Sequence, residues 1–400
     1  MKIVHIEDFF HPDAGYQVNL LAKLQVQQGH QVTVITSELE KMPVHLTLFF
    51  GKMDIRERDK AFSERTGVEI IRVPLIGYYS GRSIFSKEIF EIVRSLCIDA
   101  IFIHGEATLT AIQFIWNYDK INKPMIIDSH MLEMASGNRF NKLFNVFYRN
   151  FLTPIILKHN IPLIRVVDSD YVEKSLGIPL NKTILLSFGT DTEYFRPNKQ
   201  VKAEFRKVNG INEDDFVVIY AGKLDIYKGG QFLANSVQEE FQLPLGKKIV
   251  FIIVGNTAGD YGMAVEETLL KSKNRIIRFP TQTYFDLLKF YQGADLSIFP
   301  KQCSLSFFEA QSCGLPVLFE NNEINIERIR FDNGMYFNPE DMNDFRMKII
   351  NFAKTDKKKI EEIGQNGRNY ILQNYNYVPI AKKFTDIIEK EVFRFKKMKI

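Results

Sequence analysis

The chain has 400 residues, of which 45% are hydrophobic and 25% are charged, and this composition excludes a disordered chain and is typical of a folded protein. The length suits two domains of about 200 residues each. A formal net charge of +4 favours anionic ligands or an anionic membrane surface but is too small to indicate a nucleic acid partner.

The positions of cysteine, histidine and apolar residues argue against a metalloprotein, a secreted protein and a membrane-spanning protein. Cys97, Cys303 and Cys313 are scattered without metal-ligand spacing and are expected to be reduced thiols. The histidines form no H-x-x-x-H pair, so no metal is expected. The chain opens with a strand rather than a signal peptide, and no run approaches the roughly 18 apolar residues of a membrane span. A cytoplasmic location is therefore expected.

The first half of the chain alternates short β-rich runs with helical stretches. MKIVHI is a predicted strand, QVNLLAKLQVQQGH a helix that stops at Gly29 and His30, and QVTVITS the next strand. Further strands are predicted at Val68–Val73, Ala100–His104, Pro124–Asp128 and Ile164–Val167. This alternation predicts a doubly wound α/β domain over residues 1–188.

The pattern restarts after LLSFGTDTEYFRPNKQ, a linker-like segment that contains Gly189 and Pro197. FVVIYAG, KIVFIIVG, RIIRFP, ADLSIFP and PVLF are predicted strands, each followed by a helical stretch. They predict a second doubly wound domain over residues 189–377, and the helical segment 378–400 is predicted to pack back on the first domain. The loops at the strand ends of both domains are expected to face a central cleft that binds the ligand.

The stretch FPKQCSLSFFEAQSCGLPVLF places one glutamate in an apolar run. Ser306-x-x-Glu309 before apolar residues predicts a capping box at a helix start. A helix start directly after a strand would also suit a phosphate group, because its free N–H groups point outward. Asp168-Ser169-Asp170 imitates a D-x-D metal motif, but we interpret it as a helix N-cap and first-turn acids.

Four segments, in order, resemble the GT-B glycosyltransferases of family 4, the glycosyl transferases group 1 that build bacterial surface glycans. HPDAGYQVNLLAKLQVQQGHQVTVIT is similar to the family's opening loop, helix and strand, and LLSFGTDTEYFRP to its NGVD-x-x-x-F-x-P hinge. VIYAGKLDIYKGG is similar to its GRL-x-x-x-KG loop, and YQGADLSIFP with FFEAQSCGLPVLF to its ADV-x-x-x-PS and EA-x-A-x-G-x-PV segment. The resemblance runs from end to end and implies a GT-B fold of two Rossmann-like domains.

The resemblance implies that a nucleoside diphosphate sugar is the substrate, with UDP favoured over GDP, and that no cofactor is required. The sugar would pass with retention to a hydroxyl of a glycan or lipid-linked glycan acceptor in surface polysaccharide synthesis. The protein would then work at the inner face of the cell membrane. MPVHLTLFFGKM, KLFNVFYRNFL and the terminal FRFKKMKI mix apolar and basic residues and predict a peripheral membrane contact.

The same resemblance assigns candidate site residues. Lys223 and Lys228 would stabilise the charge that grows on the leaving diphosphate, and His130 would lie near the donor sugar as the third catalytic residue. His104 could line the same cleft and ranks below His130. The predicted donor-binding residues are Gly15, Lys223, Lys228, Ser304, Ser306 and Glu309, in which Glu309 accepts hydrogen bonds from the ribose.

One departure from the family pattern keeps two alternatives open. The family often has a further glutamate eight residues before the second, and Lys301 stands there in this chain. Ser304, Ser306 or backbone amides could take over its contact with the donor. The alternatives are a GT-B sugar nucleotide 2-epimerase, which would release a free sugar, and a catalytically inactive partner subunit, which would bind nucleotide without turnover.

Overall fold

The computed structural model describes residues 1–38, 54–79, 82–130, 141–244, 247–301, 305–322, 325–326 and 328–398. These residues fall into two compact units. The first contains the described residues up to Phe188 together with those from Val378 onward, and the second contains those from Gly189 to Tyr377.

The first unit is built on a seven-stranded parallel sheet with strand order β3-β2-β1-β6-β7-β8-β9. Its strands are β1 (Lys2–Glu7), β2 (Gln31–Ser37), β3 (Glu69–Val73), β6 (Ala100–Ile103), β7 (Met125–Ser129), β8 (Leu163–Arg165) and β9 (Thr183–Leu185). A separate antiparallel hairpin pairs β4 (Leu75–Tyr79) with β5 (Arg82–Phe85).

The described helices of the first unit are α1 (Gln17–Gln27), α2 (Ile55–Thr66), α3 (Glu88–Ser95), α4 (Leu109–Trp116), α5 (Tyr118–Ile121), α6 (Asn141–Phe147), α7 (Thr153–His159) and α8 (Tyr171–Lys174). A π-helical turn, Tyr148–Leu152, joins α6 to α7, and a 3-10 turn, Leu180–Lys182, precedes β9. α1 stops where the sequence predicts, because Gly29 takes a φ of 88° and the Gly29 and His30 amides bond back to the last helical turn.

The second unit is built on a six-stranded parallel sheet with strand order β12-β11-β10-β13-β14-β15. Its strands are β10 (Phe216–Ala221), β11 (Ile249–Val254), β12 (Arg275–Phe279), β13 (Leu296–Phe299), β14 (Val317–Glu320) and β15 (Gly334–Phe337). Its described helices are α9 (Lys199–Val208), α10 (Gly230–Ser236), α11 (Gly259–Leu270), α12 (Leu287–Gly293), α13 (Ser306–Ser312), α14 (Met342–Lys354) and α15 (Lys357–Asn374), with a 3-10 turn at Ile226–Lys228.

Both sheets have the order of a Rossmann fold. Counted within each unit, and leaving the hairpin aside, the first sheet runs 3-2-1-4-5-6-7 and the second 3-2-1-4-5-6. The inner strands β6 and β11 are apolar and buried at every position, as is typical of parallel strands covered on both faces. The predicted class, two Rossmann-like doubly wound domains of α/β type, is confirmed.

A last helix, α16 (Tyr377–Lys397), closes the described chain by packing on the first unit. Its Phe384 ring lies 6.0 Å from the ring of Phe102, and Thr385 donates a hydrogen bond of 2.7 Å to Gln28. Near its end, Arg394 donates to the carbonyl of His159 at 2.8 Å. Within the part of the chain that the structure describes, no helix combines the length and apolar character needed to cross a bilayer.

Candidate functional site

The chemistry-bearing loops lie where each sheet reverses its strand order. In the first unit, β1 and β6 are neighbours at the reversal, and in the second, β10 and β13 are. Parallel strands end at the same edge of a sheet, and open α/β sheets bind their ligands at this position. Each unit therefore presents its own candidate edge, and we describe the two separately.

Close backbone contact shapes the edge of the second sheet. Gly255, directly after β11, has a φ of 142°, and a Cβ atom on it would lie 1.9 Å from the carbonyl oxygen of Gly222. A Cβ atom on Gly230 would lie 2.9 Å from the backbone of Leu224. Side chains at Gly255 and Gly230 would push the loop after β10 out of place.

The loop that carries Lys223 and Lys228 is held at both ends. The Tyr220 hydroxyl donates to the carbonyl of Lys223 at 2.6 Å, and the Asp225 carboxylate accepts from the amide of Lys228 at 2.9 Å. The two predicted lysines therefore sit on one ordered turn, with Lys223 exposed and Lys228 half-buried.

The surroundings of Lys223 make its ammonium easier to deprotonate. Neighbouring protein atoms displace part of its water, and this desolvation lowers the pKa of Lys223 below its usual value, against an opposing effect of Asp225. A cation that has already lost part of its water gives up less hydration when it binds an anion. This environment suits a ligand that brings negative charge of its own.

Lys301 follows β13 and lies beside the same loop. A Cβ atom on Gly229 would come within 3.2 Å of the Lys301 Cβ atom, so the two loops are in contact. The Lys301 ammonium lies 3.2 Å from Glu340, and the Lys301 carbonyl accepts from the Asn325 side chain at 3.0 Å. The residue that departs from the family pattern is thus at the strand reversal. Ser304, predicted as a donor contact, lies outside the described residues.

The predicted capping box at Ser306 and Glu309 is wrong. α13 begins at Ser306 itself, so Leu305 occupies the N-cap and no side chain caps the helix. Ser306 is therefore the first helical residue, one position too late for its hydroxyl to act as the N-cap acceptor. The helix start is placed by its apolar residues, since Phe307 and Phe308 are both buried in the second unit.

Glu309 points into the second unit. It is 5% exposed, and the Tyr291 hydroxyl donates to its carboxylate at 3.4 Å. Burial raises the pKa of Glu309 to about 8, although the bond from Tyr291 lowers it somewhat. The side chain is therefore held as a largely protonated acid at neutral pH, on the helix that follows β13.

At the edge of the first sheet, His130 follows β7 and is held by Asp128. Its Nε2 lies 2.9 Å from an Asp128 oxygen, and its ring centroid lies 5.0 Å from that of Phe188. The His130 side chain is 38% exposed, whereas that of Asp128 is completely buried. Desolvation lowers the pKa of His130, but Asp128 and, more weakly, Glu7 and Glu106 raise it, so that it lies at about 9. His130 is thus an imidazolium cation at neutral pH.

His104 does not line an open surface as the sequence suggested, because it is only 3% exposed. Its Nδ1 donates to the second Asp128 oxygen at 2.8 Å, and its Nε2 lies 2.9 Å from Nδ1 of His5. His5 is fully buried, and burial lowers its pKa to about 3, helped by repulsion from His104. The structure therefore joins His104 and His130 through one carboxylate.

Sequence reasoning missed three acids at this edge. Burial raises the pKa of Asp8 and of Glu106 to about 7 each, and it also raises that of Glu7. Asp8 accepts a hydrogen bond of 2.7 Å from the Thr110 hydroxyl. The signal was present in the sequence, because HIED and IHGE place acids directly after predicted strands, where loops reach the ligand edge.

Gly15, predicted to bind the donor, lies on the loop before α1. Its backbone does not have a positive φ, so the conformation itself does not require glycine. It is partly exposed, and the neighbouring Tyr16 occupies the N-cap of α1 without a side-chain hydrogen bond. The glycine is therefore at the expected end of β1, without the strained backbone that would make it indispensable.

Two sets of side chains could be considered as metal ligands: the Asp168–Asp170 segment, and the cluster of His104, Asp128 and His130. Asp170 occupies the N-cap of α8 as predicted, although no side chain caps that helix, and Asp168 pairs with Arg165 at 3.2 Å. One donor atom from each of His104, Asp128 and His130 lies within 4.8 Å of the others, and direct hydrogen bonds account for that spacing. That no metal is needed stays a prediction.

Comparison with known proteins gives one family. Residues 201–370 match the model of the family described as glycosyl transferases group 1. The UDP-Gal:alpha-D-GlcNAc-diphosphoundecaprenol alpha-1,3-galactosyltransferase of Escherichia coli is 24% identical over 252 residues, which are 62% of this chain and 62% of that protein. The curated relatives that the chain matches are covered over only 33–62% of their own lengths.

Solved structures agree over nearly the whole chain. A glycosyltransferase from Rickettsia africae has a TM-score of 0.73 at 14% identity, with 98% of each chain covered. The HepE protein of Anabaena, in complex with UDP and glucose, has a TM-score of 0.72 at 16% identity, covering 98% of this chain and all of that one. The TM-scores establish a shared fold, and identities this low establish nothing further.

Proposed function

We propose that the chain, whose residues 201–370 match the model of the glycosyl transferases group 1 family, transfers a sugar from a nucleoside diphosphate sugar to a hydroxyl group. The observation that carries this proposal is the lysine loop at the strand reversal of the second sheet, which lies inside the matched segment. The loop is ordered, its lysines reach the surface, and glycine contacts fix its backbone.

The lysines are proposed to act on the leaving group. As the bond between the sugar C1 atom and the diphosphate oxygen breaks, negative charge grows on the diphosphate, and Lys223 and Lys228 stabilise it. A new bond forms between C1 and the acceptor oxygen on the same face, and the acceptor proton passes to the departing diphosphate. This route retains the anomeric configuration and requires no cofactor or metal.

The other predicted site residues have proposed roles of their own. In the first unit, His130 donates a hydrogen bond to a substrate oxygen, and Gly15 lets the loop after β1 approach the donor. In the second, Glu309 hydrogen-bonds the ribose and Ser306 contributes a hydroxyl. Because Glu309 is buried and largely protonated, we expect it to donate as well as accept.

We propose UDP as the nucleotide and a lipid-linked glycan as the acceptor, in surface polysaccharide synthesis. The support is that the Escherichia coli relative is named for UDP-Gal and a diphosphoundecaprenol substrate, and that the Anabaena structure contains UDP. Such an acceptor would bring the protein to the inner face of the membrane, where its mildly basic charge helps it to bind.

An aromatic patch on the first unit supports that membrane contact. The rings of Trp116, Phe147 and Phe151 lie within 5.4–6.4 Å of one another. Trp116 and Phe151 are more than half exposed. The exposed Lys142 is on α6 with Phe147, and the exposed Lys158 is on α7, which follows the turn that carries Phe151. Aromatic rings with adjacent lysines suit the interface of an anionic bilayer. The patch includes part of the predicted KLFNVFYRNFL, whereas MPVHLTLFFGKM lies outside the described residues.

A thermal-shift panel of UDP, GDP, ADP and their sugar conjugates tests the donor. A ligand at about 100 times its dissociation constant stabilises the folded state by about 2.7 kcal/mol, which is a measurable shift in Tm. We expect UDP compounds to stabilise the wild type and to lose most of their effect on a Lys223→Met/Lys228→Met double variant. A panel without any shift would contradict the proposal.

Product analysis separates the remaining possibilities. Incubation with the UDP-sugar that binds, with and without a polyprenyl diphosphate glycan, should yield an acceptor-linked sugar whose anomeric configuration, read by NMR, matches that of the donor. A free epimerised sugar in the absence of acceptor would identify a 2-epimerase. Binding without turnover under any condition would identify an inactive partner subunit.

Flotation with lipid vesicles tests the membrane contact. Wild-type protein should float with vesicles that contain phosphatidylglycerol and less with pure phosphatidylcholine vesicles. Trp116→Ser/Phe151→Ser should reduce flotation several-fold, and the matched control Phe393→Ser, an exposed phenylalanine on α16, should change it less. Equal flotation of all three proteins would refute a role for the patch.

A further inference from the structure

A continuous chain of hydrogen bonds runs from the interior of the first unit to His130. Gln25 on α1 meets His5 Nε2 at 2.6 Å, and His5 Nδ1 meets His104 Nε2 at 2.9 Å. His104 then bonds one oxygen of Asp128 at 2.8 Å, and His130 bonds the other at 2.9 Å. These hydrogen bonds join side chains from α1, β1, β7 and the residues directly after β6 and β7, so they depend on the strand order at the reversal.

Asp128 lies at the centre of these hydrogen bonds, and its carboxylate is held in one orientation. It is fully buried, and in addition to the two histidines it accepts a hydrogen bond of 2.8 Å from the amide of Gly105. Three donors hold its two oxygens, so the carboxylate cannot rotate without losing at least one charge-assisted bond. Since an ionised carboxylate only accepts, His104 Nδ1 and His130 Nε2 must both carry protons.

His104 has no access to a substrate. It is 3% exposed, its ring stacks on Phe102 at a centroid distance of 4.6 Å, and both of its nitrogens are used inside the protein. A histidine kept only for packing would need neither nitrogen bonded, and an apolar ring would fill the same space. The two bonds therefore point to a task that acts through Asp128.

We propose that His104, anchored by His5, is a positioning residue that locks Asp128 so that His130 presents a fixed N–H donor at the carboxyl end of β7. The inference rests on the proposed transfer reaction for the use of that donor, in which His130 donates to a substrate oxygen. The benefit is preorganisation: a donor already held in place does not have to be oriented during the reaction.

The electrostatic surroundings are consistent with a permanent cation at His130. Asp128 faces it directly, Glu7 reaches it from the end of β1 and Glu106 from the loop after β6, and all three favour its charged form. His104 bonds the opposite oxygen of Asp128. The pKa of Asp128 is well below its usual value despite burial, because both histidines stabilise its charge.

Two substitutions of His104 distinguish a positioning role from a packing role, because the two roles predict opposite orders of kcat for the two variants. His104→Phe keeps the ring and its stacking but removes the donor to Asp128. His104→Asn loses the ring but keeps an N–H donor at about the position of Nδ1. If the role is positioning, His104→Asn retains kcat within about threefold and His104→Phe loses at least about tenfold, with the KM for the donor little changed in both. The reverse order would overturn the proposal.

A second readout does not require activity. In the wild type, the Nε2 proton of His130, bonded to a buried carboxylate, should give a downfield NMR resonance that exchanges slowly with water. We expect it to persist in His104→Asn, to broaden or vanish in His104→Phe and to vanish in Asp128→Asn. If the resonance is unchanged in His104→Phe, the positioning role is wrong. If the wild type has the resonance but no transfer is found with any donor, only the proposed reaction fails.

Discussion

The two sheet edges have the same strand order but opposite ways of handling charge. At the edge of the first sheet, charged groups satisfy one another inside the protein: Asp128 is bonded by two histidines and a backbone amide. At the edge of the second, Lys223 is exposed on a loop whose order comes from glycine contacts and backbone hydrogen bonds.

One topology can therefore present a cation whose orientation is fixed by buried partners, or cations on a surface loop. An internally bonded cation such as His130 gives direction, because its donor atom is fixed. Lys223 and Lys228 attract an anionic ligand, because each is a point charge on a flexible side chain.

Neutralising the lysine loop should have the largest effect. Lys223→Met or Lys228→Met should lower kcat/KM by about 100- to 1000-fold, equivalent to about 3–4 kcal/mol of transition-state stabilisation, because the developing diphosphate charge loses a cation. Steady-state kinetics of the transfer reaction measure this. Lys271→Met, an exposed lysine after α11 in the same unit, is the matched control and should be unchanged. A loss of less than threefold in both loop variants would contradict the role.

A methyl group on Gly255 should displace the loop after β10, at the edge of the second sheet. Its Cβ atom would lie 1.9 Å from the Gly222 oxygen, so Gly255→Ala should reduce the free energy of unfolding by about 3 kcal/mol or more. Gly259→Ala is the control, since Gly259 also has a positive φ of 64° but nothing within 4 Å, and it should lose only about 1 kcal/mol. Urea denaturation compares them, and equal losses would show that backbone strain rather than the contact is decisive.

The two buried acids should respond to pH in opposite directions. Glu309 has a raised pKa of about 8, so it destabilises the folded state as pH rises from its unfolded pKa, near 4.5, toward 8. Glu309→Gln should therefore be more stable than the wild type by about 1–3 kcal/mol at pH 8, and the difference should fade near pH 5. Urea denaturation at the two pH values measures it.

Asp128 has a lowered pKa, so its contribution is present above the unfolded value, near 4, and is lost as pH falls through the folded value. Asp128→Asn should thus cost about 1–3 kcal/mol at pH 7 and progressively less in acid. Together with the result for Glu309, it would distinguish a buried carboxylate that is bonded by two histidines from a buried carboxyl that is bonded by one tyrosine. Parallel pH profiles for the two variants would erase it.

The ion pair of Lys301 with Glu340 should matter least for stability. Both side chains are well exposed, at 41% and 68%, so solvent screens the pair and Lys301→Ala should change the free energy of unfolding by less than about 0.5 kcal/mol. Lys301→Glu should instead alter which donor sugars are used, since the residue adjoins the lysine loop. Competition among UDP-sugars, followed by mass spectrometry, detects this, and identical preferences would exclude Lys301 from donor selection.

Much of the fold could be predicted because parallel strands are short apolar runs. The predicted strands at MKIVHI, QVTVITS, FVVIYAG and KIVFIIVG are all present, with boundaries shifted by a residue or so. The β4–β5 hairpin, β9 and β15, the edge strand of the second sheet, were missed. The hairpin lies outside the main sheet, and β9 is an edge strand that is partly exposed, so neither forms a continuous apolar run.

The candidate site was less predictable, since function at these edges depends on contacts between distant segments. The lysine loop could be found because its motif is local. The hydrogen-bond network around His130 could not be predicted. Asp128 is two residues from His130, but His5 is more than a hundred residues away, and only the strand order of the sheet brings His5 close to His104 and Asp128. The capping-box prediction was wrong because the helix begins one residue earlier than the pattern requires, which makes Ser306 the first helical residue and Leu305 the N-cap.

The return of α16 to the first unit has a consequence for synthesis. Phe395 belongs to the core of the first unit, yet it is translated only after the whole of the second. Phe384 and Phe395 are therefore synthesised after the whole of the second unit, so the core of the first unit is the last to be completed. A chain truncated before residue 378 should leave this surface of the first unit uncovered, while the sheet that carries the lysine loop retains β10 to β15.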